Sequence, residues 1–364
     1  EVSKLSWRAI ENDYTLDQYE EELEKIRTRK RNYTPWQVAI GAGFACGGFC
    51  IQFGCDWMAF LYASIAAIIG MRVRAKCNES GLNHYMGIAI SAFIATMLAW
   101  ASTLLPAEWT STPWHPLLAC ALFIVPGVPL INFVDDMLDN YIQVGIVRAV
   151  NTLLMVSAMA FGIAFAVKLC SIGDFFPTIS MVPHHNYLEY AIAAAISAMG
   201  FSMIFNIQRR LLWVVAIGGI IAVCTRNFVN LGPSTNNIGL DMGLVIGSFS
   251  GSVLVSLIAI KAVHWFHVPN HVLTIPSVIP MIPGVLMYRM LFGLINMNVQ
   301  SIDQVTPLMK AIESGVNSGL VIMCIALGVA IPNIFGRKYI ASSKNKRLAE
   351  ILKERKARGK FVEW

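Results

Sequence analysis

The feature that most constrains this chain is a series of apolar stretches, many of them close to twenty residues long, with few or no charged side chains. In the hydrocarbon of a bilayer such a stretch can only be a helix, because its backbone groups have to satisfy one another. Only 14% of the 364 residues are charged, against roughly a quarter in a soluble protein. The sequence therefore predicts an all-α polytopic membrane protein.

Ten such stretches can be delimited along the chain. They cover residues 37–53, 57–70, 82–105, 117–134, 141–169, 187–205, 211–225, 239–263, 272–295 and 308–335. The second and seventh are short for about 30 Å of hydrocarbon. We expect these two helices either to continue into their polar flanks or to lie where the bilayer is locally thin.

Clusters of basic residues flank some of these spans, while other loops contain no basic residues. They comprise Arg72, Arg74 and Lys76, then Arg209 and Arg210, then Lys261, and a dense tail over residues 337–360. The loops at 106–116 and 296–307 contain no Lys or Arg. Because basic loops stay in the cytoplasm, this distribution predicts a plasma (inner) membrane protein with both termini cytoplasmic. It also explains the net charge of +6 without nucleic acid, which we exclude as a partner.

The chain also repeats itself. Gly43-Phe44, Trp57, Met86-Gly87 and Pro126-Gly127-Val128 recur as Gly200-Phe201, Trp213, Met242-Gly243 and Pro283-Gly284-Val285, at an offset of 156 or 157. Each copy holds five spans, and because five is odd the second copy enters the membrane from the opposite side. The sequence thus predicts ten transmembrane helices in two inverted five-helix repeats. That arrangement is typical of secondary transporters, although a duplicated scaffold is the alternative.

These features divide the chain into four parts. Residues 1–35 are predicted to form a cytoplasmic amphipathic helix with a capping box at Thr15 and Gln18. Residues 36–170 and 185–336 are the two transmembrane repeats, and residues 337–364 are a basic cytoplasmic tail. Since the chain starts at Glu1 without a Met, we expect a further segment upstream.

Helix-breaking residues lie inside the fourth and ninth spans, at matching positions of the two copies. Proline removes a backbone donor and clashes with the preceding turn, so both spans should be interrupted. The exposed N–H and C=O groups could bind a carboxylate and an ammonium group; a simple kink is the alternative. With nearby polar side chains, the predicted substrate-binding residues are Pro126, Gly127, Pro129, Asn132, Arg148, Asn151, Pro280, Pro283, Gly284, Tyr288, Arg289 and Asn317.

Acidic residues near these spans are candidates for proton coupling. Glu313 is the acidic residue predicted to lie deepest in a span, in apolar surroundings, and an ionisable group there is costly unless it has a function or a partner. A permanent ion pair with Arg289 is the structural alternative. Asp135 and Asp136 could form an acidic vestibule or lie in a solvated loop, and Arg148 could reach the membrane surface.

No pattern of an enzyme, cofactor or metal site is present. The seven histidines are scattered, and the motifs of nucleophile elbows, phosphate loops and zinc proteases do not occur. His264, His267 and His271 have helical spacing, which we interpret as interfacial rather than metal-binding. The eight cysteines are interpreted as small core residues.

The segment Leu122-Phe-Ile-Val-Pro126-Gly-Val-Pro-Leu-Ile-Asn132 resembles a Val-Pro-Gly span of the threonine/serine exporter family. The segments Gly200–Asn206 and Ile279–Gly284, with Tyr288, resemble the smaller partner subunit that some bacteria encode separately. The likeness extends from about Leu16 to Pro332, with both components fused, and longer members carry an additional cytoplasmic region. It implies export of threonine and serine driven by the proton gradient; the two-component form is also linked to succinate.

We therefore predict a secondary exporter of small hydroxy amino acids, working by proton antiport. The first alternative is a dicarboxylate or other organic-anion exporter, in which Arg148 and Arg289 would supply paired positive charge. The second is an uncoupled channel or a membrane scaffold. The expected partners are a small-molecule substrate, protons and the lipid bilayer, and the sequence leaves a homo-oligomer open.

Overall fold

The structure is a computed structural model that describes residues 2–104, 106, 108–170, 185–233, 238–266, 268–295 and 305–357. Within these ranges the chain is helical, with turns and no strand. Seven of the described helices are long and apolar enough to span a membrane, and a bent pair makes an eighth if it counts as one span. The protein is thus an all-α polytopic membrane protein, as predicted.

The first half of the chain contains two short N-terminal helices and five membrane-domain segments. Its helices are α1 (Val2–Asn12), α2 (Leu16–Arg27), α3 (Pro35–Gln52), α4 (Trp57–Glu79), α5 (His84–Ala101), α6 (Pro116–Ala119), α7 (Gly127–Leu138) and α8 (Ile142–Leu169). The predicted capping box at Thr15 and Gln18 opens α2. The single N-terminal helix that we predicted is instead a pair, because Asp13 takes a positive φ of 56° and ends α1.

The second half repeats this order. Its helices are α9 (Tyr187–Ile204), α10 (Leu212–Asn230), α11 (Leu244–Phe266), α12 (Asn270–Val278), α13 (Gly284–Ile295) and α14 (Val305–Ala357). The short second and seventh spans do extend into polar flanks, since α4 continues to Glu79 and α10 to Asn230. Helices occupy all ten predicted positions, but α3 and the broken α6–α7 segment are not among the apolar span candidates. The count of ten stays a prediction.

The first helices of the two repeats cross each other at small residues. The Ser197 hydroxyl of α9 donates to the Ala45 carbonyl of α3 over 3.0 Å. A Cβ on Gly48 would lie 2.6 Å from the Ala193 carbonyl, and one on Gly41 would lie 3.0 Å from the Gly200 carbonyl. Residue numbers rise along α3 as they fall along α9, so the two helices are antiparallel. Equivalent helices of an inverted repeat would pack in this way, although the inversion itself stays a prediction.

This crossing corrects the alignment of the first helices. Both α3 and α9 begin with capping boxes, at Thr34 and Asn186, and both are followed by a positive-φ turn residue, Gly54 and Asn206. The structural offset is therefore 152 for these helices, and our pairing of Gly43 with Gly200 at 157 was wrong. Glycines and alanines are so frequent in both helices that a chance match at a shifted register was easily mistaken for the repeat.

Candidate functional site

Both predicted breaks are present, and their backbones are alike. Residues Leu122–Ile124 and Ile279–Met281 each form one turn of 3-10 helix, and α7 and α13 then begin at Gly127 and Gly284. In each copy the glycine N–H bonds to the carbonyl two residues earlier, at 2.8 Å. The α12–α13 pair bends by 62°. Pro276 lies inside α12 and Pro129 inside the first turn of α7, so neither forms a break.

The two breaks pack against each other inside the main apolar core. A Cβ on Gly127 would meet Ile282 and Ile279, and one on Gly284 would meet the equivalent residues Leu122 and Val125. Equivalent rings also meet, because Phe49 and Phe201 lie edge to face with centroids 5.8 Å apart. We call these residues the apolar plug: Phe49, Leu122, Val125, Phe201, Ile279 and Ile282.

The plug closes the centre of the molecule. It encloses a cavity of only about 10 Å³, at the lower limit for a single water molecule. The break glycines face apolar side chains there, and their N–H groups are used locally. In this conformation the breaks do not present free peptide groups to a ligand. The binding roles of Pro126, Gly127, Pro280, Pro283 and Gly284 stay predictions.

A much larger cavity lies on one side of the plug. We call it the vestibule; its volume is about 440 Å³, within the range of small-molecule sites. Its lining residues are Val128, Asn132, Asp135, Asp136, Arg148, Phe205, Ile207, His271, Val272, Ile275 and Pro276. The vestibule therefore lies where α7, α8 and α12 meet the turn that follows α9, and both repeats contribute to it.

Ion pairs order the polar wall of the vestibule. Arg148 Nη1 donates to Asp136 Oδ2, and both side chains are only partly exposed. His271 Nε2 lies 3.8 Å from Asp135 Oδ2. Asn132 lies one turn before Asp136 on α7, so its amide completes the same wall. Asp135 and Asp136 thus lie on a cavity wall, with Arg148 bound to Asp136; their roles in coupling and binding stay predictions.

The vestibule opens on the side of the molecule that carries the basic residues. Asn206, next to the lining residue Ile207, accepts a hydrogen bond from the Asn32 N–H at 2.8 Å. Arg209 donates to the Asn32 carbonyl, and the Arg72 guanidinium stacks over Trp36 at 4.6 Å. These contacts bring the start of α3, the end of α4 and the turn after α9 together. We call this end the basic side and the other end the far side.

Several predicted residues do not line the vestibule. The Asn151 side chain accepts a 2.7 Å hydrogen bond from the Tyr85 hydroxyl and so faces α5. Arg289 lies on α13, partly buried and outside the vestibule wall. Tyr288 is also on α13, but its side chain lies outside the described part of the chain. Asn317 is exposed on α14. Their substrate-binding roles stay predictions.

The side chain of Glu313 is exposed on α14. It shares that face with Val316 and Leu320, while Ser318 and Val321 point into the protein. A span that is apolar on every side gives no sequence signal of which face is internal, so the sequence could not assign Glu313 to either face. Its role in proton coupling stays a prediction.

The far side carries a second polar group, which we call the Arg226 cluster: Gln52, Tyr190, Arg226 and Asn227. Arg226 lies just before the last turn of α10, and Tyr190 is close enough to interact with its charge. Its Nε and Nη2 donate to Asn227 Oδ1 at 3.1 and 3.0 Å, and its Nη2 also approaches Gln52 Oε1 at 3.4 Å. Phe49 of the plug lies one turn before Gln52 on α3. The plug thus separates this cluster from the vestibule.

Comparison with known families decides the kind of protein. Residues 1–170 match a family model described as "Putative threonine/serine exporter", and residues 190–335 match a second described as "Threonine/Serine exporter, ThrE". The chain belongs to the threonine/serine exporter family. Its two halves match in tandem, as in a fused two-component form, which agrees with the multi-pass membrane architecture of the structure.

Curated relatives of this exporter family member cover only part of it. The "Probable succinate transporter subunit YjjP" of Klebsiella aerogenes is 27% identical over 154 residues, which is 42% of this chain and 59% of the relative. The protein of the same name from Escherichia coli K12 is 29% identical over 137 residues, 38% of this chain and 53% of the relative. The chain thus spans between half and three fifths of these relatives. No solved structure matches it.

Sequence reasoning missed several vestibule residues of this exporter family member. His271 was interpreted only as interfacial, and the turn residues Phe205 and Ile207 carried no polar signal. A usable signal was present for His271, because it lies about two and a half helical turns before Pro280 at the break in the second copy. An alignment of the two repeats shows which residues are equivalent, but it does not show that α12 of the second repeat faces α7 of the first.

Proposed function

We propose that this protein exports threonine and serine by proton antiport, with the vestibule as the entry chamber for the substrate. The observation that carries the proposal is the set of polar groups on the vestibule wall. Asp135 and Asp136 suit an ammonium group, while Arg148 and Asn132 suit a carboxylate and a hydroxyl. All lie within one cavity of about 440 Å³, beside an apolar plug made from both repeats.

The formal charge of the vestibule favours a zwitterion over a dicarboxylate. Its wall holds two carboxylates, Asp135 and Asp136, against one guanidinium, Arg148, and the guanidinium is already paired. These three side chains give the wall a formal charge of minus one, which repels a dianion. The dicarboxylate alternative is supported by the names of the curated relatives, and by Arg148 if its pair with Asp136 opens.

Proton antiport requires a group that changes its charge while the cavity faces one side of the membrane. The vestibule offers Asp135 with His271 and Asp136 with Arg148, two carboxylates that can exchange a proton for a substrate ammonium group. Glu313 remains the second candidate. Its exposed position on α14 requires either a further protein surface or a headgroup against it.

We propose the plasma (inner) membrane as the location, with both termini and the basic side in the cytoplasm. Two inverted repeats then exchange conformations about the plug and open the central site to either face. The reciprocal contacts of Gly127 and Gly284 support this view, as does the antiparallel crossing of α3 and α9.

Transport by purified protein in liposomes tests the proposal. Liposomes are loaded with threonine, serine or succinate, and a pH gradient is then imposed. We expect gradient-driven movement of threonine and serine, and much less of succinate. Movement of succinate alone would favour the dicarboxylate alternative. Movement that ignores the pH gradient would indicate a channel, and no movement of any solute would indicate a scaffold.

Two variants sharpen the same assay. Asp135→Asn should abolish gradient-driven export while preserving exchange of substrate for substrate, because the proton carrier is lost while Asp136 can still bind the ammonium group. Glu313→Gln is the comparison: an unchanged rate would remove Glu313 from the coupling mechanism. The reverse result, with Asp135→Asn unaffected and Glu313→Gln uncoupled, would move the proton step away from the vestibule.

A further inference from the structure

The Arg226 cluster is rich in hydrogen-bond donors and poor in acceptors. Among the described residues, the donors of Arg226 reach two amide oxygens, those of Asn227 and Gln52. Within the described residues no Asp or Glu carboxylate pairs with Arg226. A guanidinium within a membrane-spanning segment is costly without a counter-charge, and the described part of the chain supplies none to this cluster.

The unused donors belong to buried side chains. Gln52 is 8% exposed and Tyr190 only 1% exposed. The Gln52 Nε2 and the Tyr190 hydroxyl are buried atoms without a hydrogen-bond partner in the described structure. The orientation of the Gln52 amide follows from its neighbour, since a guanidinium can only donate and must face Oε1. Leaving such groups unpaired costs free energy, which a bound acceptor would recover.

The position of the Arg226 cluster favours a ligand that passes through the plug between the vestibule and the far side. Gln52 lies one turn beyond Phe49 of the plug, at the end of α3, and Tyr190 lies in the first turn of α9. The cluster therefore borders the plug from the far side, as the vestibule does from the basic side. One surplus positive charge with further neutral donors matches an anion with two oxygens, and a carboxylate has that form.

We infer that Arg226, Gln52 and Tyr190 form a carboxylate-binding subsite on the far side of the plug, which takes the carboxylate group of the transported solute. The inference rests on the proposed function for the identity of that solute, since threonine, serine and succinate all carry a carboxylate. The subsite holds the solute after it has passed the plug, and the guanidinium of Arg226 is its counter-charge.

Binding to the purified full chain tests the subsite. The probes are L-threonine, succinate and L-threoninamide, which lacks the carboxylate, and the readout is the concentration dependence of thermal stabilisation. Arg226→Gln should weaken binding of threonine and succinate at least about tenfold and leave threoninamide unchanged. The matched control is Arg210→Gln, an exposed arginine on the basic side, which should change nothing.

Gln52→Glu provides a second test that does not remove the arginine. The new carboxylate is nearly isosteric and would sit against Arg226 as a built-in ligand. We expect a higher melting temperature and at least about tenfold weaker threonine binding. A purely structural strut between α3 and α10 would be strengthened by this change without loss of affinity. Unchanged threonine affinity in Gln52→Glu would therefore overturn the inference. This test remains available even if the Arg226→Gln protein does not fold.

The two proposals fail in different ways. If the wild-type protein moves none of the three solutes in liposomes but Arg226→Gln still loses carboxylate binding, the subsite stands and the exporter function falls. If the wild type exports threonine but Arg226→Gln retains its preference for threonine over threoninamide, the function stands and the subsite falls.

Discussion

The two ends of the central pathway are built on matching backbones but carry different chemistry. On the basic side the vestibule is wide, and its arginine, Arg148, is paired with Asp136. On the far side the arginine, Arg226, meets amide oxygens and no carboxylate among the described residues, and the neighbouring polar side chains are buried. The repeat thus supplies similar backbones twice, while individual side chains give the two ends different charges and hydrogen-bonding groups. The directional export that we propose would need such a difference.

The largest expected effect tests the part that both ends share. Phe49→Ala and Phe201→Ala each remove an equivalent ring from the plug, and truncation of a buried Phe costs about 3–5 kcal/mol. We expect both variants to lose similar stability and to leak solute without a gradient. Phe161→Ala, which removes an exposed ring, is the control. Leakage in only one of the two variants would show that the plug is not symmetric in function.

A somewhat smaller effect is expected at the crossing of the repeats. A Cβ on Gly200 would lie 2.4 Å from the Gly41 carbonyl, so Gly200→Ala should force α3 and α9 apart at a cost of about 1–3 kcal/mol. The control is Gly319→Ala on α14, where nothing lies within 4 Å. Thermal unfolding measures both. Equal melting temperatures for the two variants would mean that α3 and α9 can move apart at little cost. Their crossing would then not fix the distance between the basic side and the far side.

The third prediction concerns the ion pair of the vestibule. A double-mutant cycle of Asp136→Asn and Arg148→Gln should give a coupling of about 1 kcal/mol, between the values for exposed and buried pairs. The measurement is stability, with threonine transport as a second readout. Arg226→Gln combined with Asp136→Asn should be additive, because the plug separates the two sites. A coupling between these distant residues would instead join the two ends into one site.

The smallest effect concerns a carboxylate on the far side that takes no part in the pathway. Asp56 accepts hydrogen bonds from the Ala59 N–H at 2.7 Å, the Thr110 hydroxyl at 2.8 Å and the Ser111 N–H at 2.7 Å. Burial by itself would raise the pKa of Asp56, but these hydrogen bonds outweigh it and the pKa is lowered. Its stabilising effect is present above the ordinary carboxyl pKa and disappears as the pH falls through the lowered value.

Asp56→Asn should therefore cost about 1 kcal/mol at neutral pH, as expected for a lost helix cap. The melting curves of the variant and the wild type should converge in acid, below a pH of about 4. The measurement is the melting temperature across a pH series. A difference in melting temperature that persists in acid would mean that Asp56 stabilises the protein through its shape rather than its charge. The far side would then differ from the vestibule, where the carboxylates form charged contacts.

Sequence reasoning reached furthest where a residue type permits only one local structure. Pro126-Gly127 and Pro283-Gly284 predicted two matching breaks, and the structure confirms both. Asn132 and Arg148 were predicted to lie near one break, and Asp135 and Asp136 in an acidic vestibule or a loop; all four line one cavity. The sequence contained no sign of the face of α14 on which Glu313 lies, since residues around an apolar helix are alike on every side.

The sequence by itself determined that the chain is a helical membrane protein with a repeat and two broken spans, because charge-free stretches and prolines restrict the backbone locally. Only the tertiary structure decided which equivalent residues meet. It pairs Phe49 with Phe201 across the two repeats, and it places His271 against Asp135 and Gln52 against Arg226. These contacts join distant parts of the chain, and they depend on how whole helices rotate and cross, which no local pattern specifies.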